Sequence, residues 1–203
     1  VVGAHAQPLV ITALGGSPAG DVTAELVRFD SVAALEAADP ATLRGKLAFV
    51  DVPMARSRDG SGYGAAGPVR GRGPSIAARK GAAGYLMRSI STSPHRVANT
   101  GITRFDADVT PIPSAALSLP DADQLARLLR LGPVQVHLAL DVGWNGDYTS
   151  QNVIGEITGR EAPGEIVLIG GHLDLWDLGT GAVDDASGVG ITMAAGHLIA
   201  QLP

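Results

Sequence analysis

The chain of 203 residues contains no cysteine. Disulfide frameworks, thiol catalysis and cysteine-based zinc sites are therefore excluded, while the redox compartment stays open, because a cysteine-free protein suits an oxidising space as well as a reducing one. No uninterrupted apolar run approaches the roughly 18–20 residues that cross a bilayer, so no membrane span is expected. Basic residues are the minority, 15 Lys and Arg against 20 Asp and Glu, and they form no stripe, which argues against nucleic acid as a partner. There is no G-x-S-x-G elbow, no Ser-His-Asp order and no Gly-Lys-Ser/Thr of a phosphate loop, so serine hydrolases and P-loop enzymes are set aside. The start, Val1-Val2-Gly3, has neither an initiator Met nor a charged-then-apolar leader, so any signal peptide is expected to have been removed or to lie outside this sequence.

What is present is a chain with 45% apolar and 17% charged residues, enough to bury a sizeable core. Its 27 glycines and 13 prolines punctuate short elements and form no linker or low-complexity tract. Strands are expected at Val22–Phe29, Lys46–Val52, Gly84–Ile90, Ile112–Leu119 and Val134–Val142. Helices are expected at Ser31–Ala38, capped by Ser31 and stopped by Asp39-Pro40, at Pro74–Lys80, and at Pro120–Leu131. The Gly- and Arg-containing stretch Ala55–Gly67 reads as a surface loop. The polar run Gly143–Thr149 is the candidate domain boundary. Beyond it, Gln151–Ile157 and Glu165–Gly170 (EIVLIG) read as strands, the second as one buried on both faces, and Asp185–Leu202 has a helical period weakened by Gly188, Gly190 and Gly196. The fold class is thus α/β: a small α/β domain followed by the opening strands and helix of a larger, incomplete three-layer α/β domain.

Chemistry concentrates in Gly170–Gly188, GGHLDLWDLGTGAVDDASG, directly after the apolar run. Ligands of open α/β sheets bind beyond the carboxyl ends of strands. One imidazole, His172, and four carboxylates, Asp174, Asp177, Asp184 and Asp185, fall together there. That much negative charge requires cations or donors to compensate it, and imidazole with carboxylate is a donor set suited to zinc or a similar divalent ion. Asp174 could hold the non-ligating nitrogen of His172 and fix its tautomer, and Asp184 could give one oxygen to each of two metals. The plainer alternatives are that Asp184 or Asp185 caps the following helix, that Asp177 is a turn residue, and that His172 is an ordinary strand-end histidine. Trp144 and Trp176 could each bind a substrate side chain or anchor a loop, with Trp176 the better placed. Arg70–Gly84 could receive an anion at a helix start or be a solvated junction. His5, His95 and His137 are isolated, His137 reading as structural, and His197 suits packing better than ligation.

The stretch GGHLDLWDLGTGAVDD closely resembles the first metal-ligand segment of the co-catalytic two-zinc aminopeptidases and carboxypeptidases, which reads G-H-L-D-S-W-D-x-G-x-G-A-x-D-D-G. Leu175 stands where these relatives usually have Ser, and Ala186-Ser187 replaces a glycine pair; neither position is a ligand. The resemblance implies metal ligands His172 and Asp184, the latter bridging two zinc ions. It also implies a catalytic carboxylate Asp174 on the His172 side, and supporting roles for Asp185, in an Asp-Asp bond that is often cis in the family, and for Trp176. It extends back from Asp141 to about Pro8, through LRGKLAFVDVP, AARKGAAGYLMRS, TGITRFDADVTPIPSAALS and DADQLARLL, which resemble the protease-associated domain of these enzymes. SQNVIGEITG resembles the first strand of their catalytic domain. Residues 1–145 are accordingly expected to be a protease-associated domain and 146–203 the N-terminal part of a zinc-peptidase domain.

The activity implied is hydrolysis of peptides or dipeptides by a metal-bound hydroxide, in a secreted or periplasmic protein compatible with a homodimer. The family also needs a Glu-Glu pair, a later Asp and a distant His, and no Glu follows Glu165. The chain is therefore expected to be a fragment of such an enzyme, inactive by itself. The alternative is a protease-associated binding module that makes peptide or protein contacts without catalysis.

Overall fold

The computed structural model describes residues 6–176 and 178–202, so the start Val1–His5 and the turn expected at Asp177 lie outside the described residues. The chain divides into two compact units, 1–146 and 147–203.

The first unit is built on β1 (Ile11–Ala13), β2 (Gly20–Phe29), β3 (Leu47–Val50), β4 (Gly84–Arg88), β5 (Ser114–Leu117) and β6 (Gln135–Leu140), in the order β1-β5-β4-β3-β2-β6. The central pairs β2–β3, β3–β4 and β4–β5 are parallel; the outer strands β1 and β6 run antiparallel to β5 and β2. The long strand β2 divides its pairing, Gly20–Glu25 with β6 and Leu26–Phe29 with β3. Strand side chains alternate between faces, and both faces here are buried, which is why LAFV and YLM are unbroken apolar runs. Ala48, Val50, Tyr85 and Met87 enter one core with Leu35, Ala66, Val69, Ile76 and Ala77 from helices α1 (Val32–Ala37), α3 (Ser61–Gly71) and α4 (Gly73–Arg79). Leu47, Phe49, Leu86, Ala115 and Leu117 enter the other with Ala122 and Leu125 from α5 (Leu119–Leu129). A mixed α/β fold is what the sequence implies.

Two helices differ from expectation. Asp39-Pro40 ends α1 but also begins α2 (Pro40–Leu43), because Asp39 accepts the Ala41 amide at 2.8 Å and proline suits a first helical turn. The stretch Ala55–Gly67 is a loop only as far as Gly60, and α3 follows with Pro68 inside it. Glycine and proline lower its propensity, but packing overrides that: Gly62, Ala66 and Val69 are buried, and a Cβ on Gly62 would overlap the carbonyl of Ala55.

At the carboxyl ends of β3 and β4 lies a buried ionic knot. Asp51, 2% exposed, accepts from Arg88 Nε at 2.6 Å and from Arg28 Nε at 2.7 Å, and Arg88 also donates to Asp123 at 2.6 Å. Beside it Asp121 accepts from Arg96 and Ser118 and from the Val10 amide. Among the described residues no buried side-chain polar atom lacks a partner.

The second unit contains a π-helical turn, Ala182–Ala186, and α6 (Ser187–Ile199). Its described residues form no β-ladder, so Gln151–Ile157 and Glu165–Gly170 are not paired as strands. A strand exists only through hydrogen bonds to a neighbour, and none runs beside these segments within the unit. Their apolar side chains are correspondingly open: Val153, Ile154, Ile166, Val167 and Leu168 are 85–90% exposed.

Candidate metal centre

The segment after Gly170 folds back on the start of α6. Gly181 takes a left-handed φ of 65°, a conformation that glycine adopts without penalty, and leads into the π-helical turn. Inside that turn Asp184 and Asp185 leave helical φ/ψ, and the peptide bond between them is cis. Neither carboxylate caps α6, whose N-terminal boundary at Ala186 has no side-chain cap hydrogen bond. Both turn instead to His172.

The histidine is held at three points. Its Nδ1 lies 2.9 Å from Asp174 Oδ1 and 3.1 Å from the Asp174 carbonyl oxygen. Its Nε2 lies 2.9 Å from Asp184 Oδ1. Its main-chain N–H donates to Asp185 Oδ2 at 3.1 Å. Desolvation opposes the charged imidazole, but the carbonyl and carboxylate of Asp174 and the carboxylate of Asp184 outweigh it and raise the His172 pKa. A hollow of about 160 Å³ opens here, lined by His172, Asp174, Leu175, Gly181 and Asp185 among others. Trp176 is not among its lining residues; its carbonyl accepts the Gly179 amide in a turn.

The donor chemistry fits a divalent cation such as zinc. Asp174 occupies Nδ1, which leaves Nε2 facing the Asp184 carboxylate. At 2.9 Å the imidazole nitrogen and the carboxylate oxygen are in direct hydrogen-bond contact, which places two donor types that zinc accepts side by side. Two donors do not complete a site: among the described residues no three His, Asp or Glu side chains converge on one point.

The other sequence candidates are engaged elsewhere. Arg79 is bonded to Asp106 and Asp108, Arg72 to Glu36, and Arg70 to the Tyr63 hydroxyl, so three of the basic residues of Arg70–Gly84 are taken by protein partners. His137 is exposed on β6 and pairs with Asp21 at 2.8 Å, a surface link between β6 and β2. His197 meets the Gln201 amide at 2.7 Å. Trp144 is 95% exposed. What the sequence alone did not reveal is the bond from the His172 main chain to Asp185, since main-chain donors leave no residue-type signal.

Residues 152–203, which include this centre, match the model of Peptidase family M28. The wider chain is similar to carboxypeptidase Q, at 34% identity to that of Mus musculus over 92% of this chain and 38% of the relative, and at 33% to that of Xenopus laevis over 97% and 41%. It is also 29% identical to the probable leucine aminopeptidase 2 of Aspergillus fumigatus, over 88% of this chain and 32% of the relative. Among solved structures, the Peptidase M28 precursor of Shewanella amazonensis SB2B superposes with a TM-score of 0.93 at 48% identity, over 100% of this chain and 47% of that one. The chain thus spans about two fifths of the length of the carboxypeptidase Q relatives and about half of the Shewanella protein. The resemblance to aminopeptidases and carboxypeptidases, and the α/β fold it implies, hold. Among the described residues no helix is long and apolar enough to cross a membrane.

Proposed function

We propose that this chain is part of a co-catalytic two-zinc exopeptidase that cleaves peptides or dipeptides, with residues 1–145 as a protease-associated domain and 146–203 as the start of the catalytic domain. The observation that carries the proposal is the convergence of His172 Nε2 and Asp184 Oδ1, with Nδ1 tied back to Asp174. When bound, zinc polarises a substrate carbonyl and acidifies a water. The residues of this chain do the positioning. Asp174 accepts from Nδ1, so in the neutral ring the proton sits on that nitrogen and Nε2 would give its lone pair to the metal, which would take the place of the proton now shared with Asp184. Asp184, its side chain 75% exposed, has a second carboxylate oxygen to offer a second cation. Leu175 lines the hollow with an apolar wall, and Trp176, 44% exposed, supplies a face for a substrate side chain nearby in sequence. An exported location, secreted or periplasmic, is part of this proposal.

The test is calorimetric titration of the 203-residue chain with Zn²⁺. Binding is expected in the parent and absent in His172→Ala and Asp184→Ala, with no dipeptide hydrolysis by the chain alone, since among the described residues only two donors converge. Zinc binding that survives His172→Ala unchanged would overturn the metal assignment and favour the non-catalytic binding module.

A further inference from the structure

The Asp184–Asp185 pair meets one histidine twice, through different atoms. Asp184 reaches the imidazole, and Asp185 accepts the His172 main-chain N–H at 3.1 Å across thirteen positions of sequence. The space that Asp185 occupies is shaped for it. A Cβ on Gly188 would overlap the Asp185 carboxylate. A Cβ on Gly171 would lie 2.9 Å from Asp185 Oδ2 and 2.7 Å from the Val189 amide nitrogen, closer than such contacts allow. Asp185 does not cap α6, although its position one residue before the Ala186 boundary would suit an acidic cap.

We infer that Asp185 is a positioning residue: its carboxylate clasps the His172 main chain to the start of α6, in a slot left open by Gly171 and Gly188, and so sets the distance between His172 and Asp184. The inference rests on the reading of those two residues as metal donors, but the clasp itself needs no metal. Asp185 touches neither donor nitrogen nor cation. It acts on the ligand's backbone, while Asp174 acts on the ligand's ring. The three carboxylates thereby divide the work, one orienting the imidazole, one sharing the cation and one locating the residue that carries the imidazole.

The test compares Asp185→Ala, Asp185→Asn and Gly188→Ala by two measurements. The first, in zinc-free protein, is the ¹H–¹⁵N resonance of the His172 amide, which a carboxylate acceptor moves downfield. The second is Zn²⁺ affinity by calorimetry. Asp185→Ala is expected to return the amide to an ordinary shift and to weaken zinc about 10-fold or more, the usual effect of losing an outer support of a ligand. Asp185→Asn keeps an acceptor oxygen while losing the charge, and is expected to retain most of both signals. Gly188→Ala, with the carboxylate present but displaced, is expected to behave as Asp185→Ala. An unshifted His172 amide in Asp185→Ala overturns the clasp, as does Asp185→Asn matching Asp185→Ala in zinc affinity, which would make charge rather than position decisive. A clasp that passes the amide test in protein unable to bind zinc would leave the positioning intact and sink the metal assignment instead, so the two failures are distinguishable.

Discussion

Replacing Asp51 by alanine tests whether the ionic knot at the carboxyl ends of the first unit's strands is structural or a second site. The position is where α/β sheets place ligands, yet every group there is consumed internally. Asp51 is 2% exposed, and two guanidinium groups lie 2.6 and 2.7 Å from its oxygens. Removing one partner of a buried pair commonly costs about 3–5 kcal/mol, because the other charge is left buried and uncompensated. The lower end applies here. Arg88, its side chain 8% exposed, keeps Asp123 at 2.6 Å, and Arg28, 42% exposed, can turn to water. A loss of about 3 kcal/mol is a large part of a typical domain's stability of roughly 5–15 kcal/mol. At roughly 3–4 °C per kcal/mol for a unit of this size, Tm should fall by about 10 °C. The assay is thermal and urea unfolding followed by circular dichroism, with Arg28→Ala beside Asp51→Ala. The Arg28 variant should lose little, since Asp51 keeps its more buried partner. An Arg28→Ala loss equal to that of Asp51→Ala would refute the ranking by burial, and an Asp51→Ala protein as stable as the parent would refute the structural role altogether.

Two further outcomes follow from the first unit. Gly73→Ala should destabilise it by about 1–3 kcal/mol in a urea melt, because the added methyl would sit 2.6 Å from the hydroxyl-bearing ring carbon of fully buried Tyr85, whose hydroxyl donates to Val69 O at 2.6 Å. Burial alone pushes up the pKa of Asp121, but Arg96, the Ser118 hydroxyl and the Val10 amide outweigh it and hold the folded value below the ordinary one. Its contribution is therefore complete above the unfolded value of about 3.9 and is lost as pH falls through the lower folded value. Tm measured from pH 6 down to pH 2 should drop in that acid window, with a shallower drop in Asp121→Asn.

The parts of this fold that could be read from residues are those set by pattern. The alternating exposed and buried positions of β6 follow the alternation of QVHLAL, and the fully buried β3 and β4 follow the unbroken apolar runs LAFV and YLM. Ser31 caps α1 as its type implies, accepting the Ala34 amide at 3.0 Å. What pattern missed was decided by tertiary contact. The helix SGYGAAGPVRG forms because its small residues let it lie close to the loop at Ala55 and to the core, which no propensity scale registers. β1 is three residues long and visible only through its pairing with β5. At the candidate centre, residue types singled out His172, Asp174, Asp184 and Asp185, and the structure brings all four together. Trp176, singled out by its neighbours in sequence, does not line the hollow.

The two halves of the second unit's sequence obey different rules for a physical reason. The exposed run Ile166–Leu168 cannot gain stability from its own unit: burying such side chains would contribute roughly 1.5–3 kcal/mol each, but only against surfaces the unit does not provide. The centre next to it needs no such surface. Its contacts join residues two to thirteen positions apart, and closing short loops carries a small entropic cost. The His172–Asp184 geometry is therefore a local property of residues 171–188, formed whether or not the apolar run is covered. Affinity is another matter, because it grows with the number of donors that converge, and among the described residues two do. With two donors, neither is redundant. Asp184→Ala should remove measurable zinc binding rather than reduce it, since a single exposed imidazole is an ordinary surface group, whereas Asp174→Ala should leave binding weakened but detectable.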